Sequence, residues 1–429
     1  MTVHVAGPYK AQGSDPGLDR QRPAADVSVP ILMWHKVDDR APSQFWVTAT
    51  QFARQMAALK AYGYTPIVLG TLYDYVTGQG IVLPSKPVVL SFDDGYQNLY
   101  THALPILQQY AFPAVAFIPT GKIGTTDRQD NAWDAPEAPY KAAHLLWSEI
   151  EAMAATGLVD FQSHTVTHPD LEAAGINVVW ELAQAKHDLA AHVHQAVDFF
   201  SYPCGLGADS AAVQHQVRQA GYKAAVAGWG ELEPLADANV WALKRTEVAS
   251  WHDTVYDGDP SHCFMRLLDP AFPIPHITVS SVTCLDPTTG EACTQVRGGD
   301  SVLVRVTATN TGDAAVVGVS LAFVPDADPS ARFSESHALA PAGKVERLFA
   351  ASSTASFEFL WSVLADARFG RFQLRVAFHD QYDVLKWHET GWQLLAGRAG
   401  GAGQRHLKSC TLGNRKPDPQ RHGNLREEH

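Results

Sequence analysis

The chain has 429 residues, of which 46% are hydrophobic. A chain of this length is too long to fold around one ordinary hydrophobic core, so we expect two domains. Acidic residues outnumber basic ones by 45 to 33, and the formal charge of -12 argues against an electrostatic nucleic-acid binder and favours neutral or cationic substrates. No window approaches the roughly 18 uninterrupted apolar residues of a membrane span, and residues 1–28 lack the apolar stretch of an export signal, so we expect a cytoplasmic protein unless a leader has been removed.

The first predicted element after residues 1–28 is a strand, Ile31–Trp34, which delivers His35 to a strand's end. A helix that Gly63 can terminate follows it. Apolar residues at i, i+4 and i+7 mark the inner face of this helix: Phe52, Met56 and Leu59.

Short strands and helices then alternate along the chain. Strands are predicted at residues 88–92, 115–118, 159–163, 197–202 and 224–227, with helical segments near 100–107, 145–153, 179–193 and 213–220 between them. Residues 122–141 have no periodicity and predict a long loop that either carries substrate contacts or is simply mobile. The alternation predicts a parallel sheet, and about seven units suggest a closed or nearly closed barrel whose reactive groups gather where strands end.

Two carboxylates stand at the exit of the strand that ends near Phe92. Asp93 and Asp94 follow an apolar run, and Gly95 supplies the turn after them. Successive side chains of an extended segment point to opposite sides, so the two acids can take different roles within a few ångström of each other. Taken alone, such a pair could equally be a solvated turn.

A second polar cluster follows the strand at 159–163. His164 and His168 bracket Thr-Val-Thr, and Pro169 comes directly after them, which favours a loop over a helix. Taken alone, this spacing could also be a pair on a helix surface. Two imidazoles and one carboxylate leave an open coordination position, as catalytic zinc sites do.

These motifs occur in an ordered series. SFDDG at 91–95, HTVTHP at 164–169 and FSYPCG at 200–205 resemble the successive signature motifs of the polysaccharide deacetylases, the NodB-homology family of carbohydrate esterases. The resemblance extends over about residues 29–248 and includes ILMWH at 31–35, LPIL at 104–107 and AGY at 220–222. The family fold is a distorted (β/α)7 barrel, in agreement with the independent count of strand–helix units.

The resemblance implies that Asp94, His164 and His168 bind a divalent metal, preferably zinc, and that Asp93 is the general base. A carboxylate that binds the metal is neutralised, whereas its ionised neighbour can accept a proton. A bound metal would lower the pKa of its water to about 7 and polarise an acetyl carbonyl, which makes amide hydrolysis feasible near neutral pH.

The resemblance also assigns a role to the loop at residues 202–205. The backbone amide of Cys204 would stabilise the tetrahedral oxyanion, with Pro203 fixing its approach, and such a donor is typically worth about 3 to 4 kcal/mol. The alternative is a strand-ending turn that holds a small buried cysteine.

Two positions depart from the common family pattern. Ser201 stands where many members carry an Arg that orients the base, and LKR at 243–245 stands where many carry a Leu-x-His with the general acid. A branch similar to the bacterial poly-N-acetylglucosamine deacetylases places that His on the first strand, and His35 fits this pattern as the general acid. His35 could instead be a structural histidine packed by Trp34, and Arg245 could replace the missing Arg electrostatically.

A second domain follows a proline-rich linker. Residues 301–309 alternate in period two, residues 310–313 form a turn, and strands near 316–324, 357–361 and 372–378 continue the pattern, which predicts an immunoglobulin-like β-sandwich. The predicted boundaries are a loose arm at 1–28, the deacetylase-like domain at 29–268, the linker at 269–275, the sandwich at 276–396 and a Gly-rich, disordered tail at 397–429.

Two questions about this second domain remain open from sequence. Cys284 and Cys293 flank a turn-rich segment and could form a disulfide in an oxidising compartment, or remain two thiols. Three tryptophans could stack on sugar rings or pack in the core: Trp361, Trp387 and Trp392.

The sequence thus predicts a metal-dependent hydrolase that removes N-acetyl groups from the amino sugars of a polysaccharide or other glycan, with the sandwich assisting substrate or partner binding. Its partner would be the N-acetylated glycan, with no nucleic acid and no membrane span. The alternatives are an O-acetyl polysaccharide esterase, since the same chemistry cleaves esters, and a catalytically weak glycan-binding module, which the two departures from the family pattern would suggest. No feature predicts the oligomeric state.

Overall fold

The computed structural model describes residues 27–124 and 142–395, except 229, 231, 233, 234, 237, 294–299, 326–344 and 363–370. Nearly all of the predicted arm, most of the predicted loop at 122–141 and the predicted tail lie outside the described residues. The chain divides into two compact units, the first holding Met1–Thr254 and Asp259–Phe272 and the second holding Val255–Gly258 and Pro273–His429. The domain boundaries given above stay predictions.

The first unit is built on an eight-stranded parallel sheet in the order β10-β1-β5-β6-β7-β8-β9, with β4 paired to β5. Two further strands, β2 and β3, pair with each other. The strands are β1 (Ile31–Trp34), β2 (Lys36–Asp38), β3 (Trp46–Thr48), β4 (Thr65–Pro66), β5 (Pro87–Phe92), β6 (Ala114–Ile118), β7 (Val159–Ser163), β8 (Phe199–Ser201), β9 (Ala224–Val226) and β10 (Thr246–Glu247).

The two ends of this sheet approach each other through the segment that joins β9 to β10. Leu243 bridges to Val226 of β9, and three residues later Thr246 pairs with Leu32 of β1. The sheet therefore curls round, and it fits the distorted (β/α) barrel that the alternation predicts.

Helices cover the sheet: α1 (Ala49–Ala61), α2 (Leu69–Val76), α3 (Leu104–Tyr110), α4 (Trp147–Ala155), α5 (Val178–His192) and α6 (Ala211–Gln219). The first of them shows how local sequence sets its ends. Thr48 caps α1 by accepting from the Gln51 N–H, and the Gln51 side chain accepts from the Thr48 N–H in return. Gly63, at a φ of 73°, follows the end of this helix as predicted.

Aromatic side chains fill the space between this helix and the sheet. Trp34 lies 5.5 Å from Phe52 and 5.6 Å from Phe92, ring centre to ring centre, and all three are buried. This packing holds the C-terminal ends of β1 and β5 in place. His35 and Asp93 directly follow these two strand ends. No helix among the described residues is long and apolar enough to cross a bilayer.

One detail of the predicted helices is wrong, and one predicted helix has an unusual first turn. The inner face of α5 was expected to include Val179, but 63% of Val179 is exposed, and Val178 is buried instead. Val178 lies four residues before buried Leu182, and this spacing keeps both on one face. The helix expected from about residue 100 begins as a π-helical turn, Leu99–Ala103, before α3 continues it.

The second unit is all-β in its described residues, with a three-stranded antiparallel sheet in the order β11-β12-β15 and a four-stranded one in the order β14-β13-β16-β17. Its strands are β11 (Ile277–Leu285), β12 (Ser301–Asn310), β13 (Ala315–Pro325), β14 (Val345–Phe349), β15 (Ser353–Ser362), β16 (Arg371–Asp380) and β17 (Lys386–Leu395). Phe357 of β15 contacts Phe349 of β14 at 5.6 Å and Phe378 of β16 at 5.5 Å, so residues of both sheets share a core. The immunoglobulin-like arrangement stays a prediction.

Cys284 and Cys293 lie side by side, since the N–H of Cys293 donates to the carbonyl of Cys284 at 2.8 Å. The disulfide between them stays a prediction. Trp387 is 4% exposed and packs near Tyr256, which leaves its ring no face for a sugar. The side chains of Trp361 and Trp392 lie outside the described residues.

Candidate active site

All six predicted site residues line one open cavity in the first unit. The cavity lies where β1, β5, β7 and β8 end, because parallel neighbours bring their carboxyl ends to one edge of the sheet. The six residues are His35, Asp93, Asp94, His164, His168 and Cys204.

Asp94, His164 and His168 form a cluster whose ligand atoms all lie within 4.8 Å of one another. The Nε2 atom of His168 is 3.2 Å from Oδ1 of Asp94, and that of His164 is 3.4 Å from the same oxygen. Two imidazole nitrogens and one carboxylate oxygen converge on a single point, which is a donor set that suits a divalent transition metal.

The environment of His164 prepares it as a ligand. Its Nδ1 lies 2.7 Å from the carbonyl oxygen of Ser201, an acceptor, so Nδ1 carries the proton and Nε2 keeps its lone pair. A second hydrogen bond of this kind fixes the ring orientation of metal-binding histidines. The residues present therefore fit a bound metal.

The backbone at this cluster is bent into an uncommon conformation. Asp94 has a φ of 70°, Thr165 of 67° and His168 of 61°, all in the left-handed region that non-glycine residues avoid. Such residues concentrate at functional sites, where the surrounding structure holds them.

Glu181 of α5 braces the loop between the two histidines. One carboxylate oxygen accepts from the N–H groups of Val166 and Thr167 at 2.8 and 2.9 Å, and the other accepts from the Thr167 hydroxyl at 2.6 Å. Glu181 is 4% exposed, and these charge-assisted bonds compensate its burial. The loop is thereby tied to the first turn of a helix.

Asp93 lies beside this cluster in a network of its own. Arg245 donates to both of its oxygens, from Nη1 at 2.7 Å and from Nη2 at 2.6 Å. The Ser201 hydroxyl donates to Oδ2 of Asp93 at 3.1 Å and accepts from Arg245 Nη2 at 2.9 Å. A bidentate pair of this type fixes the carboxylate plane as well as its charge.

The pKa of each carboxyl reflects these partners. Burial would raise the pKa of Asp93, but the charge of Arg245, the neighbouring imidazole of His164 and the hydrogen bonds from Arg245 bring it below its ordinary value. Burial acts in the same direction on Asp94, and the imidazoles of His168 and His164 outweigh it, so the pKa of Asp94 lies well below its ordinary value. Both acids are therefore ionised at neutral pH.

His35 and Cys204 stand on other walls of the cavity. The His35 ring packs edge-on against Phe45 at 5.2 Å, and burial lowers the pKa of its imidazole although Asp94 and Asp93 oppose this. Cys204 has a left-handed φ of 53° within the 3-10 turn Pro203–Gly205, which turns the chain sharply at the cavity edge. Both residues line the cavity.

Residues 81–225 match the family model described as polysaccharide deacetylase. This region is a polysaccharide deacetylase domain. The match includes Asp93, Cys204 and the three residues of the candidate metal cluster, while His35 and Arg245 lie outside it.

Relatives of the deacetylase domain carry related names. The chain is 33% identical over 157 residues to the poly-beta-1,6-N-acetyl-D-glucosamine N-deacetylase of Escherichia coli (strain K12), an overlap of 35% of this chain and 23% of that protein. It is 26% identical over 238 residues to the putative polysaccharide deacetylase YxkH of Bacillus subtilis (strain 168), an overlap of 54% and 74%. The chain thus spans only 23% of the length of the first relative.

Among solved structures, IcaB from Ammonifex degensii matches 52% of this chain and 91% of that chain, with 23% identity and a TM-score of 0.45.

Sequence reasoning grouped the candidate metal ligands of the deacetylase domain, but it gave Arg245 only a secondary role and missed two other residues that contribute to the site. Ser201 appeared only as the place of a missing Arg, although its hydroxyl bonds Asp93 and its carbonyl bonds His164. The only signal at Glu181 was its place in the first turn of a helix. Acidic residues are favoured at that place for general electrostatic reasons, so this signal does not indicate a role in the site. Nothing local indicated that it reaches the histidine loop.

Proposed function

We propose that this chain is a zinc-dependent N-deacetylase acting on amino sugars of a polysaccharide. The observation that carries the proposal is the placement of Asp94, His164 and His168 within one ligand sphere, beside a separate carboxylate, Asp93, that Arg245 orients. A metal-binding group and a free base in one cavity are the two parts that hydrolysis of an amide requires.

Asp94, His164 and His168 would hold the metal. Two nitrogens and one oxygen are a set that zinc uses in catalytic sites, with a fourth position left open. When bound, the metal would polarise the acetyl carbonyl and lower the pKa of a water molecule. No other group among the residues described in this cavity offers a comparable cluster.

Asp93 would accept the proton from the attacking water. Its carboxylate is ionised and lies 3.8 Å from Nε2 of His164, so it faces the metal cluster without belonging to it. Arg245 and Ser201 hold the oxygens in place, which spares the carboxylate any reorientation during the reaction. The same ion pair makes Asp93 a weak base, so position matters here more than basicity.

Cys204 and His35 would complete the reaction. The backbone N–H of Cys204 would donate to the oxyanion of the tetrahedral intermediate. His35 would then protonate the departing amine. Burial favours its neutral form, so His35 would have to take up a proton before it gives one to the amine. The proton that Asp93 removes from the water balances this transfer, and the nearby carboxylates of Asp93 and Asp94 would stabilise the imidazolium while it is charged.

The names of the relatives support the proposed substrate class. Several are named poly-beta-1,6-N-acetyl-D-glucosamine N-deacetylases, and a neutral N-acetylated polymer is compatible with the net charge of -12. The second unit, proposed as an immunoglobulin-like sandwich, would assist glycan or partner binding.

Acetate release tests the proposal. Purified protein should release acetate from β-1,6-linked N-acetylglucosamine oligomers, and EDTA should abolish this activity until zinc is restored. Asp93→Asn should reduce kcat at least about a hundredfold, because a general base contributes roughly 10² to 10⁴ in rate, while the bound metal content stays unchanged.

An exposed acid offers the matched control, and Asp209→Asn should leave kcat unaltered. Full activity of the Asp93→Asn variant would remove the proposed base. Release from O-acetylated polymer alone would assign the cavity to ester hydrolysis instead.

A further inference from the structure

We propose that Trp251 is a platform on which the substrate chain stacks a second sugar ring, next to the one whose acetyl group enters the cavity. The inference deepens the proposed function and rests on it. It adds a subsite that none of the matched motifs contains, since Trp251 lies beyond residues 81–225.

The segment that carries Trp251 leaves the sheet at the cavity wall. The N–H of Val248 donates to the carbonyl of Met33 at 2.8 Å, and the N–H of Ser250 donates to the carbonyl of Gln44 at 3.1 Å. Met33 and Phe45, the neighbour of Gln44, both line the cavity. The Cα atoms of Trp251 and Phe45 therefore lie within about 13 Å of each other, a span that a short oligosaccharide covers.

Helix α1 pins this segment on both sides of the tryptophan. The Gln51 side chain donates to the carbonyl of Ser250 at 2.8 Å, and the Gln55 side chain donates to the carbonyl of His252 at 2.7 Å. Arg54 adds a two-point contact to Asp253 at 3.1 and 2.5 Å. The backbone of Trp251 is thus fixed before any ligand arrives, which reduces the entropic cost of binding.

The ring itself remains open to solvent, with 41% of Trp251 exposed. Trp34 and Trp46 of the same unit are 0% and 4% exposed, whereas Trp180 on α5 is 45% exposed. Trp251 therefore stands out by its backbone contacts beside the cavity and not by exposure alone. The nearest aromatic neighbours, His252 at 5.8 Å and His262 at 6.0 Å, are tilted to the indole and do not stack on it. A large exposed aromatic ring on a well-anchored backbone is a typical anchor for a ligand.

The surroundings suit a neutral occupant. Burial, with a contribution from the charge of His262, lowers the pKa of His252 to about 4, so this side chain is uncharged at neutral pH. Arg54 and Asp253 neutralise each other. The apolar face of an uncharged N-acetylated sugar ring meets these conditions, and neither a phosphate nor a strongly basic peptide does.

The chain-length dependence of the reaction tests the subsite. Trp251→Ala should raise KM for a pentamer of β-1,6-linked N-acetylglucosamine about tenfold, a usual loss for truncating an aromatic anchor. It should leave kcat unchanged and leave KM for the dimer unchanged. Trp251→Phe should restore most of the affinity for the pentamer, since it keeps an aromatic face.

Tyr382→Ala provides the control, because it removes a ring that is 46% exposed from a turn of the second unit, and it should change neither constant. Pentamer binding measured by calorimetry on the EDTA-treated protein gives a readout without turnover. There, Trp251→Ala should weaken binding by the same factor, even if the wild-type protein releases no acetate. An unchanged KM and binding constant for the pentamer, or an equal loss on dimer and pentamer, would overturn the subsite while leaving the deacetylase proposal intact.

Discussion

Asp93 and Arg245 form a buried ion pair, in which Asp93 is 4% and Arg245 1% exposed to solvent. Removing two charges from water is costly, and their attraction compensates this cost only when the geometry is good and the remaining hydrogen bonds are satisfied. Both conditions hold, because Ser201 bonds both partners and the carbonyl of Ala227 accepts from Arg245 Nε at 2.7 Å. The pair therefore serves to orient a carboxylate at the cavity.

Breaking this pair should be costly for folding. Arg245→Met leaves a buried carboxylate without its counter-charge, and the free energy of unfolding should fall by about 3 to 5 kcal/mol. Urea unfolding at pH 7 measures it. The double variant that adds Asp93→Asn removes the orphaned charge as well and should recover a large part of the loss.

A second arginine supplies the comparison. Arg54 pairs with Asp253 in a similar bidentate manner, but its side chain is 36% exposed. Arg54→Met should cost no more than about 1 kcal/mol, because water screens the pair. Equal losses for the two variants, or a double variant no more stable than Arg245→Met, would contradict the role given to the buried pair.

For individual residues, the sequence predicts which side chains lie together only when they are close along the chain. Asp93 and Asp94 are adjacent, and His164 and His168 share one short motif, so the candidate ligands could be grouped from spacing and family resemblance. Arg245 is 152 positions away from Asp93, and only the curl of the sheet brings them together. A contact of that kind leaves no periodic signal, so sequence reasoning could offer Arg245 only as a possible substitute for a missing residue.

Between elements, the decisive contact is the one that supports the histidine loop. The N–H of Gly121 donates to the carbonyl of Val166 at 2.9 Å, midway between the two histidines. A Cβ atom at position 121 would lie 2.8 Å from that carbonyl oxygen and 3.1 Å from a Val166 methyl group. The histidine loop can therefore lie this close to residue 121 only because that residue is a glycine.

Gly121→Ala should weaken metal binding. The added methyl group must push residues 165–167 away, and a shift of the loop moves the flanking imidazoles relative to Asp94. We expect zinc affinity to fall by about ten- to a hundredfold, the range seen when residues that orient metal ligands are altered. Competition with a chelator measures this affinity directly.

Gly124 offers the control, since a Cβ there would meet nothing within 4 Å. It has a φ of 80°, so Gly124→Ala should lower stability slightly through backbone strain and leave zinc affinity unchanged. Wild-type affinity in Gly121→Ala would show that the loop does not depend on this close approach.

Element prediction succeeded where the apolar periodicity was both long and uninterrupted. The helix carrying Phe52, Met56 and Leu59 and the strand at 159–163 were placed well from pattern alone. Strands β2, β3, β4 and β10 were not predicted, because two or three residues are too few to show alternation. Helix α2 and the second-unit strands β11, β14 and β17 were not predicted either. In β11 a register shift between Val279 and Ser281 interrupts the alternation. On α5, Val178 and Val179 are chemically identical, so only the three-dimensional packing decides which of them is buried.

On the scale of the whole molecule, the switch from strand–helix alternation to period-two strands predicted two kinds of architecture, and the described residues show a parallel sheet in one unit and antiparallel sheets in the other. How the parallel sheet curls could not be predicted. It depends on residues 240–247, which pair with β9 and β1 through only a few backbone contacts and have no regular pattern.

The division into two units leads to a prediction about metal removal. Each unit has its own buried core, so calorimetry of the complete chain should show two unfolding transitions. The proposed metal ligands all belong to the first unit, and a ligand that binds only the folded form stabilises that form by mass action. Saturation at a hundred times Kd adds about 2.7 kcal/mol, which corresponds to roughly 5 to 10 °C in Tm for a unit of this size.

EDTA should therefore lower one transition by that amount and leave the other in place, and added zinc should reverse the shift. The variant His168→Gln identifies the cause, because it removes one proposed ligand and should make the same transition insensitive to both EDTA and zinc. If both transitions shift together, the two units unfold cooperatively. If neither transition of the wild-type protein shifts with zinc, the cavity does not bind zinc and the metal-dependent mechanism is wrong.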